Sequence, residues 1–156
     1  MKRALSFSIL LAIVCTPAWS QVLASDQVPA VVAQAMRVKF PTVQTVEWKL
    51  KTDKNYEAEF SLKGIDYAVK FDASGKWLES EYAIPRSVVP KAVLDATAAK
   101  FKGYKITEIQ RLQRWNDERP VYELHLENTK DIVKIQYGAD AAILSQSSKP
   151  QPGKAK

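Results

Sequence analysis

Acidic side chains and a histidine are the residues whose types and spacing could support chemistry in this chain. Glu57 and Glu59 alternate with apolar residues in one segment, and Glu123 and His125 do so in another. This period of two is typical of β-strands and places such side chains together on one face of a sheet. Paired carboxylates can act as general acid and base where burial raises the pKa of one of them. Lysines are interleaved with these acids, so the pattern favours a solvated charged face.

His125 is the one histidine of the sequence, and it could act as a base or as a weak metal ligand. Metal sites usually gather three or four good ligands, and Cys15 is the one cysteine. The sequence contains no Ser-centred nucleophile elbow, phosphate-binding loop or dinucleotide fingerprint. We therefore expect no metal, no other cofactor and no enzymatic activity.

Tryptophans are stronger candidates for a binding role than the acids. Trp115 lies between Arg114 and Asn116, where a large apolar ring is costly to expose and typical of an interface anchor. The alternative is that Trp115 folds back onto its own domain. Trp77 has two possible orientations, one that exposes it beside acidic residues and one that buries it. The predicted partner-binding set is Trp77, Trp115, Arg114, Glu57, Glu59, Glu123 and His125.

The N-terminal segment has the layout of a secretory signal peptide. A short basic region is followed by an apolar run over residues 4–15 and then by small residues. The run has about twelve residues, whereas a membrane-spanning helix needs roughly 20. Cleavage after Ser20 or after Ala24 fits the small-residue rule, and we assign residues 1–24 to the signal peptide. The sequence therefore predicts a periplasmic or secreted protein.

Removal of the signal peptide leaves a chain without cysteine, which cannot form a disulfide. The formal net charge of +6 falls to +4, because Lys2 and Arg3 are lost and no acid is lost with them. Basic and acidic residues are interleaved, and no run resembles a nucleic-acid-binding patch. We expect neither a nucleic-acid partner nor an integral membrane segment after signal cleavage.

An internal repeat divides the rest of the chain into two copies. Matches near the start of each copy are 61 residues apart, and matches further along are 66 residues apart. The change indicates an insertion of five residues around 114–120, which we interpret as a loop between the first two strands of the second copy. The matching segments are Val28-Pro29 with Val89-Pro90, Phe40 with Phe101, and Tyr56-Glu57 with Tyr122-Glu123.

Each copy is predicted to contain one helix and four strands. A helix begins at each Val-Pro pair, since proline is tolerated at the first helical position, and four segments of alternating or turn-bounded apolar residues follow. The predicted fold class is α+β, with two tandem repeats, each one helix packed on a four-stranded antiparallel sheet. The repeats cover residues 25–86 and 87–146, and we expect a disordered tail over residues 147–156.

The first copy carries an ordered set of short motifs. They are Val28-Pro29, Lys39-Phe40-Pro41, Trp48, Tyr56-Glu57 and Phe71-Asp72-Ala73-Ser74-Gly75. This order resembles the PepSY-like family, which is also described as beta-lactamase-inhibitor-like, and both copies take part over residues 28–146. The resemblance implies a helix on a four-stranded antiparallel sheet, used twice in an exported protein. The second copy departs from the pattern, with Ile109 at the position of Trp48.

The resemblance also implies a class of function. PepSY-type modules are associated with inhibiting or regulating peptidases and with sensory roles at the cell envelope, and the family has no agreed catalytic residues to transfer. Our leading hypothesis is an exported, non-enzymatic binding module that presents open sheet faces to a protein or peptide partner and inhibits or regulates an envelope enzyme. The alternative is a periplasmic sensor of a small ligand or a cation.

Overall fold

The computed structural model describes residues 20–152 of the chain. Most of the predicted signal peptide (residues 1–19) and residues 153–156 lie outside the described residues. Within the described range the chain forms nine β-strands and two α-helices, and no helix there is long and apolar enough to cross a membrane. The elements are β1 (Gln21–Leu23), α1 (Ala30–Lys39), β2 (Glu47–Leu50), β3 (Tyr56–Leu62), β4 (Ile65–Phe71), β5 (Trp77–Ala83), α2 (Lys91–Lys100), β6 (Lys105–Arg114), β7 (Asp117–Glu127), β8 (Asp131–Gly138) and β9 (Ile143–Pro150).

All nine strands belong to one antiparallel sheet in which the strand order follows the chain order from β1 to β9. The turn between β4 and β5 shows how local sequence sets this geometry. The Asp72 carboxylate accepts hydrogen bonds from the backbone N–H groups of Ser74 and Lys76, at 2.8 and 3.0 Å. Gly75 has a φ of +83°, and a Cβ at this position would lie 2.9 Å from the carbonyl oxygen of Val31. Glycine is therefore required both by the turn and by the close approach of α1.

Helix α1 packs against the first half of the sheet. Val32 and Met36, one helical turn apart, are buried and lie in one core with Trp48 and Phe60 from the strands below. Pro29 occupies the N-cap position of this helix, which agrees with the predicted start. The apolar stripe of the sequence thus becomes the helix–sheet contact.

Helix α2 packs in the same way against the second half of the sheet. Val93 and Thr97 are its buried residues, and they cover strand residues such as Leu124 and Ile135. The Thr97 hydroxyl donates to the Val93 carbonyl oxygen at 2.7 Å, so the buried polar group is satisfied. The two cores share no buried residue.

Both helices lie on the same face of the sheet. Strand register places Tyr67, Tyr82, Arg111 and Tyr122 in one cross-strand row. Tyr67 packs against the core under α1, and Tyr122 belongs to the core under α2. Because residues that are directly opposite each other share a face, the two helices cover one face and leave the other uncovered.

The expectation of two separate four-stranded sheets is wrong. β5 pairs with β6 from Glu79–Arg114 to Ala83–Gln110, and β1 adds a further strand beside β2. Separate sheets would leave β5 and β6 as edges with unpaired backbone N–H and C=O groups, and pairing these two strands satisfies both. The class remains α+β, but the architecture is a single nine-stranded sheet with two helices on one face.

Two local expectations also differ from the structure. The five-residue insertion does not form a loop, because β6 extends to Arg114 and β7 begins at Asp117. The extra residues lengthen this hairpin and leave Trp115-Asn116 at its turn. At the C-terminus, β9 extends through Pro150 and pairs with β8, so residues 147–150 belong to a strand and not to a disordered tail.

Candidate protein-binding face

The open face is the side of the sheet opposite the two helices, formed by alternate residues of β2 to β9. Strand register places Lys49, Glu57, Lys70, Glu79 and Arg114 in one row across five neighbouring strands. Neither helix packs on this row, because both lie on the other face. The open face is therefore the broadest surface that the sheet offers to a partner.

Two glutamates at equivalent positions of the two copies are buried in this face. Glu57 and Glu123 are each only 4 % exposed. Glu57 accepts a hydrogen bond from Lys51 Nζ at 2.9 Å, and Glu123 accepts one from Gln136 Nε2 at 2.8 Å. Lys134 Nζ lies 3.1 Å from Glu123. A buried carboxylate is costly unless it is paired and hydrogen-bonded, so these partners hold both acids in place.

The surroundings of Glu123 change its acidity. Burial raises the pKa of this carboxyl, but hydrogen bonds with His125 and Gln136 and the charge of Lys134 outweigh burial and lower the pKa to about 2. Glu123 is therefore ionised over the whole physiological range. It is unsuited to act as a general acid near neutral pH.

A chain of ion pairs and hydrogen bonds crosses the boundary between the two copies. Lys70 Nζ lies 3.0 Å from a Glu79 oxygen, and Arg114 Nε lies 2.7 Å from the other Glu79 oxygen. Arg114 Nη2 also donates to Gln136 Oε1 at 3.0 Å, and Gln136 donates to Glu123. We call this chain the open-face network. It makes the open faces of the two copies one connected polar surface.

Lys70 is bound by a second carboxylate, Glu81, at 3.1 Å. Burial lowers the pKa of Lys70, but the charges of Glu81 and Glu79 outweigh it and raise the pKa. The two acids differ from each other. The pKa of Glu79 is lowered, because Lys70 and Arg114 outweigh its burial, whereas burial raises the pKa of Glu81.

His125 lies on the open face between two carboxylates. Its Nδ1 is 2.8 Å from Glu108, and its Nε2 is 2.7 Å from Glu123. Glu123 lies two residues before His125 on β7, and Glu108 lies directly opposite it on β6. Among residues 20–152 there is no group of three or more His, Cys, Asp or Glu side chains suited to a metal ion. His125 is a fixed member of a polar cluster.

Glu59 is the most exposed of the predicted acids on this face. Its Oε2 lies 2.5 Å from Lys49 Nζ, and its side chain is 37 % exposed. Glu47 also contacts Lys49, at 3.2 Å. Since Glu59 is paired but accessible, it can contact a partner without a change in the sheet.

Trp77 lies on the helix-covered side and not with the predicted acids. A register shift at the end of β4 pairs Trp77 with Phe71, and the ring packs against the core under α1. Its Nε1 donates to Ser80 Oγ at 2.9 Å, and Lys39 Nζ lies 3.7 Å from the ring centroid. Of the two orientations that the sequence allowed, the one turned away from the open face is observed.

Trp115 remains half exposed, at 51 %, in the turn between β6 and β7. Its backbone N–H donates to the Leu78 carbonyl oxygen at 3.1 Å, and Lys76 Nζ lies 3.2 Å from the ring centroid. Trp77 and Trp115 line one cleft at this end of the sheet, together with residues of both faces. Trp115 therefore lies where the open face meets the helix-covered side.

The structure brings five of the seven predicted residues to the open face and adds others. Arg114, Glu57, Glu59, Glu123 and His125 lie there. The members that sequence reasoning did not select share one signal, a polar residue at an alternate position of a strand. They are Glu47, Lys70, Glu79, Glu81, Glu108, Lys134 and Gln136.

Comparison with protein families gives a match to the model described as beta-lactamase-inhibitor-like, PepSY-like. The match covers residues 18–67 and 54–142, which is most of the chain and both copies of the repeat. This finding confirms the resemblance drawn from the motifs. None of the curated protein sequences compared with the chain matches it.

Solved structures of similar fold come from Bacteroides species. A protein of Bacteroides eggerthii that is named as periplasmic has 22% sequence identity and a TM-score of 0.69, over 77% of this chain and 88% of its own. A DUF2874 family protein of Bacteroides uniformis has 21% identity and a TM-score of 0.68, over 81% of this chain and 92% of its own.

A third neighbour is named as BLIP-like and comes from Bacteroides fragilis. It has 20% identity and a TM-score of 0.61, over 81% of this chain and 89% of its own. At these identities the likeness establishes the fold alone. The family match over both copies decides the assignment, and the chain belongs to the PepSY-like, beta-lactamase-inhibitor-like family.

Proposed function

We propose that the protein is a non-enzymatic periplasmic module that binds a protein partner through its open face and thereby inhibits or regulates an envelope enzyme. The observation that carries this proposal is the open-face network. It joins Lys70, Glu79 and Arg114 across the boundary between the copies and continues to Gln136 and Glu123. A binding surface of this kind is held in one conformation before the partner arrives, which lowers the entropic cost of association.

The charges on the open face support recognition of a protein more than catalysis. Most of the acids are paired with cations, and the pKa values of Glu79 and Glu123 are lowered by their partners. Complementary charge on a partner would supply specificity and a fast encounter rate. A stable interface needs about 800 Å² from each partner, and one face of a nine-stranded sheet, with strands about 4.8 Å apart, has dimensions of that order.

The class of partner is suggested by the family and by one neighbour. The family is described as beta-lactamase-inhibitor-like, and the Bacteroides fragilis structure is named as BLIP-like. We therefore propose that the partner is an enzyme of the cell envelope, and a β-lactamase is the first to test. The name of the Bacteroides eggerthii protein agrees with the periplasmic location predicted from the N-terminal segment.

Two experiments test whether the mature protein binds periplasmic enzymes. The first measures β-lactamase activity in the presence of the mature protein, and the second is affinity capture from periplasmic extract. Glu59→Lys reverses an accessible charge on the open face, and Trp115→Ala removes the exposed ring at its end. We expect Glu59→Lys to weaken partner binding about tenfold or more, since like charges placed at an interface cost several kcal/mol.

Asp95→Lys is the matched control. Asp95 lies on α2, has a side chain that is 62 % exposed and pairs with Lys91, so this variant reverses the same charge on the opposite side of the sheet. Circular dichroism of each variant verifies its fold. If Glu59→Lys binds the partner as tightly as the wild type while Asp95→Lys binds it weakly, the open face is not the binding surface and the proposal fails.

A further inference from the structure

A cleft lies at the end of the sheet near the β6–β7 turn, where residues of the open face and of the helix-covered side meet. Its volume is about 260 Å³, and Trp77 and Trp115 are among the residues that line it. Arg111 and Gln113 reach it from the helix-covered face. The residues that line it are Trp77, Arg111, Leu112, Gln113, Arg114, Trp115, Asp117, Glu118 and Arg119.

Arg111 lines this cleft and forms no ion pair with the described residues. Its Nη1 donates to Tyr122 Oη at 3.1 Å, and its Cζ lies 5.1 Å from the Tyr122 ring centroid. Its Nε is buried without a hydrogen-bond partner. Within residues 20–152 no carboxylate lies within salt-bridge distance of its guanidinium group. A partly buried guanidinium without a counter-ion is costly, and such a group calls for an explanation.

The neighbours of Arg111 on the helix-covered face are all uncharged. Tyr82 and Tyr122 lie directly opposite it on the two adjacent strands. Ile109 precedes it and Gln113 follows it on the same face of β6. None of these four side chains supplies a negative charge, so an anion bound from outside the chain would compensate Arg111.

Two lysines lie against the tryptophan rings that line the cleft. Lys39 lies over the Trp77 ring at 3.7 Å, and Lys76 lies over the Trp115 ring at 3.2 Å. The acids at the rim do not offset these charges. Asp117 is held by two hydrogen bonds from Arg119, at 2.9 and 2.7 Å, and Glu118 is exposed to solvent.

We propose that this cleft is a binding site for a carboxylate that carries an aromatic group, with Arg111 binding the carboxylate and the two indole rings packing against the aromatic group. Arginine binds carboxylates through two parallel N–H donors, and flat aromatic surfaces pack by offset or edge-to-face contact. The same chemistry occurs in a free aromatic acid and in a peptide whose last residue is phenylalanine. The site does not depend on the partner proposed for the open face.

Isothermal titration of the mature protein tests the site with two pairs of probes. Phenylacetate is compared with phenylacetamide, and acetyl-Ala-Phe with a free carboxylate is compared with its C-terminal amide. We expect both carboxylates to bind with a Kd of about 1 mM or tighter, which is reasonable for ligands of this size. The two amides are expected to bind at least tenfold more weakly. The carboxylate with the lower Kd shows whether the site favours a free aromatic acid or the C-terminal end of a peptide.

Three variants assign the binding to Arg111. Arg111→Gln is expected to weaken the binding of both carboxylates about tenfold or more, because a hydrogen-bonded charge is lost. Arg111→Lys keeps the charge without the planar pair of donors, and we expect an intermediate affinity. Arg86→Gln removes an exposed arginine elsewhere and should bind as the wild type does. The proposal is overturned if neither carboxylate shows saturable binding, or if each carboxylate and its amide bind with equal affinity. Melting curves verify that each variant is folded.

Discussion

At the scale of single residues, the same burial leads to opposite results for two carboxylates of the open face. Glu123 has its pKa lowered to about 2 despite burial, because it is bound by His125, Gln136 and Lys134. Glu81 has its pKa raised, since burial outweighs the attraction of Lys70 and the nearby Glu123 and Glu79 add repulsion. The number of donors around each carboxylate decides the direction of the shift. Stability therefore depends on pH in opposite senses at the two positions.

Replacement of Glu123 by glutamine tests whether the lowered pKa of Glu123 stabilises the folded state. A carboxyl whose pKa falls from 4.5 to about 2 on folding stabilises the folded state fully above pH 4.5 and loses that contribution as the pH falls towards 2. We expect Glu123→Gln to be less stable than the wild type at pH 7, on the order of 1–3 kcal/mol. The difference should shrink between pH 4.5 and pH 2 in urea unfolding curves.

Glu81→Gln is the control for this prediction. The raised pKa of Glu81 means that its contribution to stability is present at low pH and is lost as the pH rises through that pKa. We expect Glu81→Gln to retain wild-type stability or exceed it at pH 7. If both variants lose stability equally at pH 7 and the loss does not change with pH, ionisation of Glu123 does not stabilise the fold.

The sequence indicates which residues share the open face, but not which of them touch. Alternation in each strand was sufficient to group Glu57, Glu59, Glu123 and His125. The partners of these acids depend on strand register and on the pairing of β5 with β6, which join residues far apart in the chain. Arg114 contacts Glu79, and His125 contacts Glu108, only because of that pairing and of the long β6–β7 hairpin. Local periodicity carries no information on such contacts.

At the scale of elements, β1 bears on the two candidate cleavage sites. This strand, Gln21–Leu23, pairs with β2, and Leu23 packs against the core under α1. Cleavage after Ser20 keeps the strand, and cleavage after Ala24 removes it. The pairing of β1 favours cleavage after Ser20 over the assignment of residues 1–24 to the signal peptide. We expect the exported protein to begin at Gln21, and mass spectrometry of the mature protein measures this directly.

Unfolding experiments provide a second test of whether β1 is part of the mature fold. A chain that begins at Ser25 should unfold about 1–2 kcal/mol more easily than one that begins at Gln21, because backbone hydrogen bonds and part of the Leu23 burial are lost. In the longer chain, Leu23→Ala should account for part of this loss. Val22→Ala should have little effect, since Val22 is 62% exposed. Equal stability of the two chains would show that β1 does not contribute.

Most elements could be located from the sequence, whereas the lengths of β6, β7 and β9 could not be predicted from it. β3 covers the segment in which Glu57 and Glu59 alternate with apolar residues. The insertion around 114–120 has polar residues that are typical of a loop, yet β6 and β7 continue through most of it. Pairing with an adjacent strand satisfies backbone groups whatever the side chains are, so tertiary context outweighs local preference there.

At the scale of the whole molecule, the pairing of β5 with β6 decides whether the copies behave as one unit. The two cores share no buried residue, but one sheet and the Arg114–Glu79 ion pair connect them. We expect a single thermal transition in which the calorimetric and van't Hoff enthalpies agree. Glu81→Pro, in the middle of β5, should split this into two transitions, since proline removes a backbone donor from a central strand. Two transitions already present in the wild type would contradict the expectation.

The order of the strands has a consequence for the way in which the sheet is built. Because every strand within residues 20–152 pairs only with strands that are next to it in the chain, none of these pairings has to wait for a distant segment. Contacts between neighbours in sequence close short loops and favour fast folding. If the chain enters the periplasm N-terminus first, each strand can be added to the edge formed by the one before it. Assembly and translocation can therefore proceed in the same direction, and each new edge is unpaired only until the next strand arrives.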